Sequence, residues 1–154
     1  VFGHCFTFSK NFNAIKDISR ALKSVGFGVL RFDFKGLGNS DDDFANTNFS
    51  GNVDDLLAVI NYFKKYYAAI TLLVGHSLGS ATAVCDSAKA NSIEAVATIV
   101  TPSDTKHIKY LFCDQLDAIV INREATVQVS GSLFKIKEKL LRDLNELMDT
   151  EALT

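Results

Sequence analysis

A chain of 154 residues, 47% hydrophobic and 22% charged, holds one domain with a sizeable core and is too short for two ordinary ones. Sixteen basic against eighteen acidic side chains leave a net charge of −2 with no sizeable basic run, so nucleic-acid binding has no electrostatic footing. No apolar run approaches a membrane span, and the widely spaced Cys5, Cys85 and Cys113 read as free thiols in a reducing, cytoplasmic setting, not as a disulfide framework or zinc site.

In chain order, Val1 to Gly3 reads as the tail of an apolar strand, followed by the loop HCFTFSKNF. The chain opens on this strand end without a methionine and therefore reads as a fragment. From Ala14 to Ser24, Ile15, Ile18, Ala21, Leu22 and Val25 recur at helical spacing, and Gly26 sits where a C-terminal cap belongs. FGVLRFDF, Phe27 to Phe34, is rich in β-formers and predicts a buried strand, and KGLGNSDDD then makes a polar loop. Val53, Leu56, Leu57, Ile60 and Phe63 share one stripe of a second helix, with Ser50 as its expected cap. AITLLVG, Ala69 to Gly75, predicts the next strand. The small residues Ser80, Ala81 and Ala83, with Val84, open a third helix, and AVATIVT, Ala95 to Thr101, predicts another strand.

This alternation specifies an α/β fold, a parallel sheet with helices on both faces. Ligands in such sheets gather at the carboxyl ends of the strands, where the loops after Gly3, Phe34, Gly75 and Thr101 lie. The texture changes after Pro102. A helical stretch from about Thr105 to Leu116 leads to TVQVSGSLFKI, whose two runs flank Ser-Gly as in a hairpin, and Leu140, Leu141, Leu144, Leu147 and Met148 mark an amphipathic helix running to the chain end. Residues 1–102 are expected to form the core and 103–154 a lid-like insertion of the same domain.

Gly75-His76-Ser77-Leu78-Gly79 falls between a predicted strand and a predicted helix. That context is what the pattern G-x-S-x-G requires of a nucleophile elbow. A serine that presents its hydroxyl above a sheet occupies a sharp, strained turn, across which side chains at the glycine positions would collide. The helix that follows aims its N–H groups at charge developing on a carbonyl oxygen. The competing reading is the glycine-rich turn of a nucleotide-binding fold, but G-x-G-x-x-G and G-x-x-x-x-G-K-[ST] are both absent.

HCFTFSK after the first strand, RFDFKGLGNSDDDFANTNFS after the second, GHSLGS at the elbow and FKIKEKLLRDL in the insertion together resemble the α/β-hydrolases. The likeness is to the small bacterial members found alone or fused to a domain of the osmotically inducible protein C (OsmC) type. The resemblance implies that Phe6 and Leu78 supply the backbone N–H groups of an oxyanion hole, with Cys5 standing where the family carries glycine. It also implies a structural role for Arg31 and Asp33, which match the family's R-x-D, and for the His4 ring.

A serine nucleophile needs a base and an acid to orient it. The chain has three histidines, His4, His76 and His107. His76 adjoins the nucleophile and points elsewhere on the turn. His107 alone lies downstream of Ser77, with Asp104 between them, so a compact triad Ser77–Asp104–His107 remains open. The alternative is truncation. The resemblance places the acid and histidine after later strands, and nothing after Lys137 reads as one, so both would lie outside this chain, as would two leading strands. Asp41, Asp42 and Asp43 lack flanking ligands at metal spacing and read as a solvated loop, so no metal or other cofactor is expected. The expected activity is hydrolysis of a small-molecule ester, thioester or amide through an acyl-enzyme at Ser77. Acyl transfer, or a non-catalytic binding module that kept the elbow, are the alternatives; neither nucleic acid nor membrane is an expected partner.

Overall fold

Hydrophobic alternation along one short strand sets the layers of this molecule. The structure, a computed structural model, describes residues 1–102 and 106–149, without the side chains of 106–107 and 147–149. Strands β1 (Phe2–Gly3), β2 (Leu72–His76) and β3 (Ala95–Ile99) form a parallel sheet in that spatial order, with Val74 opposite Phe2 and Ala97. Successive side chains of a strand leave opposite faces. Val74 accordingly packs with Phe2 and with Ile15 of helix α1 (Asn13–Ser24). Leu73 packs on the other face, with Leu56 and Ile60 of α2 (Phe49–Tyr66) and Ala81 of α3 (Leu78–Ser87). Helices thus cover both faces.

The sequence between α1 and α2 departs from expectation. Residues 27–34 do not form a buried strand; only Arg31 bridges to Phe2, in parallel sense, and the Phe2 N–H donates to Leu30 O at 3.0 Å. Phe27 is exposed and Val29 to Phe32 are half-buried. β1 offers just two paired residues on one side, and no strand pairs with the other side among the described residues, so the ladder that would regularise this segment is missing. The end of α1 follows its sequence signal: Gly26, at φ +95°, donates to Lys23 O at 3.1 Å, and the Phe27 N–H reaches back to Leu22 O at 3.1 Å. This pair of bonds is a Schellman close.

Helix α2 begins before the expected cap. Asn48 is the cap residue, its side chain accepting from the Gly51 N–H at 3.3 Å. Ser50 lies inside the helix and is itself held from afar. Its N–H donates to Asp143 Oδ2 at 2.9 Å and its hydroxyl donates to Asp143 Oδ1. Asp143 belongs to α6 (Glu138–Asp149), so a carboxylate from one helix satisfies the free first turn of another.

After Pro102 come α4 (Lys106–Tyr110), a 3₁₀ turn at Cys113–Gln115, and α5 (Leu116–Asn122), which the sequence reading missed. A hairpin of β4 (Glu124–Val129) and β5 (Ser132–Lys137) follows, turning on Ser130 and Gly131 at φ +51° and +84°. Both turn residues in the left-handed region define a tight primed turn. Val127, Val129 and Ile136 of the hairpin, with Leu140 and Leu144 of α6, join the same apolar cluster as Phe44, Phe49 and Leu56. Phe134 meets the Phe44 ring at 5.0 Å, and Lys137 Nζ donates to Asn46 Oδ1 at 2.7 Å. The segment therefore shares the core of the sheet domain. Among the described residues no helix is long and apolar enough to cross a membrane.

Candidate active site

Ser77 sits between the last residue of β2 and the first of α3, with φ +53° and ψ −119°. A non-glycine residue with this backbone is strained, and strain of order 1–3 kcal/mol persists only where the surroundings over-determine it. Here they do. The Ser77 N–H donates to Ile99 O at 2.8 Å, tying the turn to the end of β3, while Ser77 O accepts from the Ser80 N–H at 2.8 Å. A Cβ on Gly75 would lie 2.5 Å from Gly79 O and 2.6 Å from Ser80 N, so a side chain there would wedge the turn open. Gly79 answers a different constraint. Its Cβ would meet the backbone of the loop after β1, with Gly3 O at 2.5 Å, so this glycine lets α3 press against that loop. The run Gly79 to Ala83 is buried and small for the same reason.

The loop after β1 makes a turn from Cys5 to Phe8, closed by the Phe8 N–H donating to Cys5 O at 3.3 Å, with Thr7 at φ +67°. Phe6 occupies the first corner, whose N–H is not used in closing such a turn. Among the described residues, neither the Phe6 nor the Leu78 N–H donates a backbone hydrogen bond. The Cys5 side chain is buried, and burial pushes its thiol up to about 11, so it carries no thiolate to compete with the serine.

His4 is almost wholly buried. Its Nδ1 lies 2.9 Å from Cys5 O, and the Phe34 N–H donates to Nε2 at 3.1 Å. A nitrogen that accepts carries no proton, so the ring is neutral, with its proton on Nδ1. Burial holds its pKa below the usual histidine value, against the opposing pull of Cys5 O and Asp33. Both nitrogens are occupied, and His4 serves as a strut between the two loops. The His76 ring faces Phe12, centroids 6.3 Å apart, and its Nδ1 is buried without a partner. Asp104 and the His107 side chain lie outside the described residues, so the compact triad is untouched by this geometry.

Asp33 is the hub beneath the site. It accepts from the Lys10 N–H at 2.6 Å, from Lys10 Nζ at 2.7 Å and from the Asn39 N–H at 3.0 Å. Burial alone would raise its pKa; these donors overcome that and hold the carboxyl below its usual value. Arg31 extends the brace, donating to Lys10 O at 3.0 Å. The R-x-D spacing pointed to Asp33, whereas nothing in the sequence marked Lys10 as its partner. Asp86 on α3 was also missed. It is buried, neither carboxylate oxygen has a hydrogen-bond partner, and Lys89 Nζ is 3.9 Å away. A lone acid among the small and apolar residues of ATAVCDSA was the available signal. The Asp42 carboxylate accepts from the Asp43 N–H and from Asn46, and that of Asp43 from the Ala45 N–H; among the described residues no cluster of three or more His, Cys, Asp or Glu is arranged to hold a metal.

A parallel sheet covered on both faces, with a strained serine between strand and helix, defines an α/β-hydrolase. Residues 8–103 match the family described as serine aminopeptidase, S33, and the chain belongs to that α/β-hydrolase family. It is similar to the esterase domain of a Rhodothermus marinus protein, at 40% identity and a TM-score of 0.66, over 95% of this chain and 55% of that one. Its fold is also that of Est1E from Butyrivibrio proteoclasticus, solved with ferulic acid (22% identity, TM-score 0.77, 94% of this chain and 59% of that one). Mouse α/β hydrolase domain-containing protein 10 shares the fold too (21% identity, TM-score 0.71, 94% and 59%). The chain thus spans between 55% and 59% of the length of these relatives. A comparison with curated protein sequences gives no match.

Proposed function

We propose that this chain is the nucleophile-bearing part of a cytoplasmic serine hydrolase that cleaves a small ester, with thioester or amide as further acyl substrates, through an acyl-enzyme at Ser77. The observation that carries the reading is the backbone of Ser77, φ +53° at a strand-to-helix junction; the N–H groups of Leu78, next in the chain, and of Phe6, in the loop against which Gly79 packs, donate no backbone hydrogen bond among the described residues. The Ser77 hydroxyl attacks the substrate carbonyl carbon as its proton passes to a base, and the negative carbonyl oxygen is met by the N–H groups of Phe6 and Leu78. Collapse of that intermediate expels the alcohol, thiol or amine, and water releases the acyl group by the reverse proton path. Preference for esters rests on the likeness to the Rhodothermus marinus esterase domain.

The base and its acid are contributed from outside these residues. His4 has both nitrogens engaged and His76 faces Phe12, while the chain spans just over half the length of its relatives. On this reading residues 103–154 are a lid-like insertion of the same domain, and the described part of it packs on Phe44, Asn46 and Ser50. The test is labelling with a fluorophosphonate probe, on samples shown to be folded and monodisperse. The longer protein should label rapidly at Ser77 and lose the signal in Ser77→Ala. The 154-residue chain alone should label slowly or not at all, since losing base and acid costs several orders of magnitude in rate. Fast labelling of this chain, abolished by His107→Ala and by Asp104→Asn, would establish the compact triad instead. Absence of labelling in the longer folded protein would favour a binding module.

A further inference from the structure

Beside the elbow lies an open groove of about 450 Å³ with no charged side chain in its lining. One wall is the loop after β1, with Phe8 and Phe12; the other is Gly36, Leu37 and Gly38; Phe134 of the hairpin completes it. We propose that this groove is a subsite for a planar, uncharged aromatic group of the substrate, an inference that rests on the serine-hydrolase reading above.

Two chain connections link it to the elbow. Thr7, which lines the groove, directly follows Phe6, and the Phe12 ring faces that of His76, the residue before Ser77, at 6.3 Å. On this proposal the group seated here belongs to the same substrate whose carbonyl meets Ser77. Gly36 and Gly38 have φ +73° and +56°, and side chains at either would strike protein: the Phe44 N at 2.5 Å in one case, the Asp33 carboxylate in the other. That wall is therefore held to bare backbone apart from Leu37. The opposite wall is aromatic, with Phe8 and Phe12 edge-to-face at 4.7 Å. Phe134 is itself fixed by Phe44 at 5.0 Å, which is fixed in turn by Phe6 at 5.3 Å. Rings so arranged favour a further ring over a saturated group of equal size by more than its buried area alone provides. Asp33, which lies against Gly38, is paired with Lys10 at 2.7 Å, and the lining itself carries no charged side chain to select an ion.

The discriminating probes are benzyl alcohol and cyclohexylmethanol, which share a skeleton and differ in flatness and π-character. Titration of the folded chain, followed by NMR shifts of its backbone amides, should show benzyl alcohol perturbing residues 7–12, 36–38 and 134 and binding about two- to tenfold more tightly. Phe8→Leu and Phe134→Leu, each checked for an unchanged thermal transition, should bring the two probes to parity, and Ser77→Ala should leave the preference intact. Equal or tighter binding of cyclohexylmethanol, perturbation confined to other surfaces, or no detectable binding would overturn the inference. The two readings fail separately. Lost ring selectivity with rapid Ser77 labelling of the longer protein refutes the aromatic subsite alone. Preserved selectivity without labelling refutes the hydrolase reading, leaving a ring-binding groove with no reaction attached.

Discussion

The elbow and the segment after Pro102 are built to different tolerances. Around Ser77, backbone touches backbone: Gly79 against Gly3 and His4, Gly75 against Ser80, the Ser77 N–H against Ile99 O. After Pro102, contact is made through side chains, with Phe134 on Phe44, Lys137 on Asn46 and Asp143 on Ser50. Side chains can change rotamer and backbones cannot, so the first region admits almost no adjustment and the second admits some. Strain at a reactive residue is sustainable only in the first kind of surrounding.

The harshest way to break the contrast is Gly79→Ala. Its methyl group has only carbonyl oxygens and carbon of Gly3 and His4 to displace, so a loss of about 3 kcal/mol is expected, read from the urea midpoint. The matching insertion of a methyl group at Gly131, which has open space around it, should cost only its positive φ of +84°.

The next effect is one of pH. Burial pushes the Asp86 carboxyl up to about 7, with Lys89 opposing and Asp54 adding to the shift. The folded state then keeps a proton that the unfolded chain gives up near 3.8, so stability should fall as pH rises between those values and stay low above them. Asp33 has the opposite sign. Its carboxyl is held low, so the stability it contributes is present above its unfolded value and lost as pH falls through the folded one. Urea midpoints across pH should show Asp86→Asn gaining on the parent protein as pH rises from 3.8 to about 7 and holding that gain above it. A constant difference would mean that Asp86 is charged and paired.

Asp143→Ala tests the second region. Removing the carboxylate that holds the Ser50 N–H and hydroxyl should cost about 1–2 kcal/mol. Hydrogen exchange should quicken in α6 and the first turn of α2 and stay unchanged in β2. Quickening in β2 as well would erase the distinction between the regions. The smallest change expected is at Thr7, a β-branched residue at φ +67° in the turn behind Phe6. Thr7→Gly should relieve that backbone and raise stability by under about 1 kcal/mol, because glycine's own entropy offsets part of the gain.

What was legible in the sequence was whatever is decided locally. Gly75 and Gly79 announced a turn that needs bare backbone, and Gly26 announced the end of α1. Residues 27–34 have the composition of a strand, but a strand is made by its neighbours, and just one pairing reaches them. Ser50 and Asn48 are equally good caps on paper; the choice between them depends on Asp143, 93 residues away. Helix α5 was missed because LDAIVIN offers β-branched residues on a helix one face of which, Val120 and Ile121, remains exposed. Ser77 was legible because strain must be prepared by its immediate neighbours, whereas Lys10 was not, because a charge pair needs only proximity in space.

The seam between Gly79 and the Gly3–His4 backbone has a bearing on assembly. It joins the start of the chain to its middle, and closing so long a loop carries an entropy cost that short-range helices do not face. The seating of α3 and the pairing of β1 with β2, as in Gly3 with Gly75, depend on the same loop backbone. A nascent chain therefore carries Ser77 as an ordinary hydroxyl in a relaxed loop, and its special geometry arrives with the register of the sheet. The backbone conformation of Ser77 thus reports the docking of α3 on the loop after β1, a contact missing from any state that lacks β1.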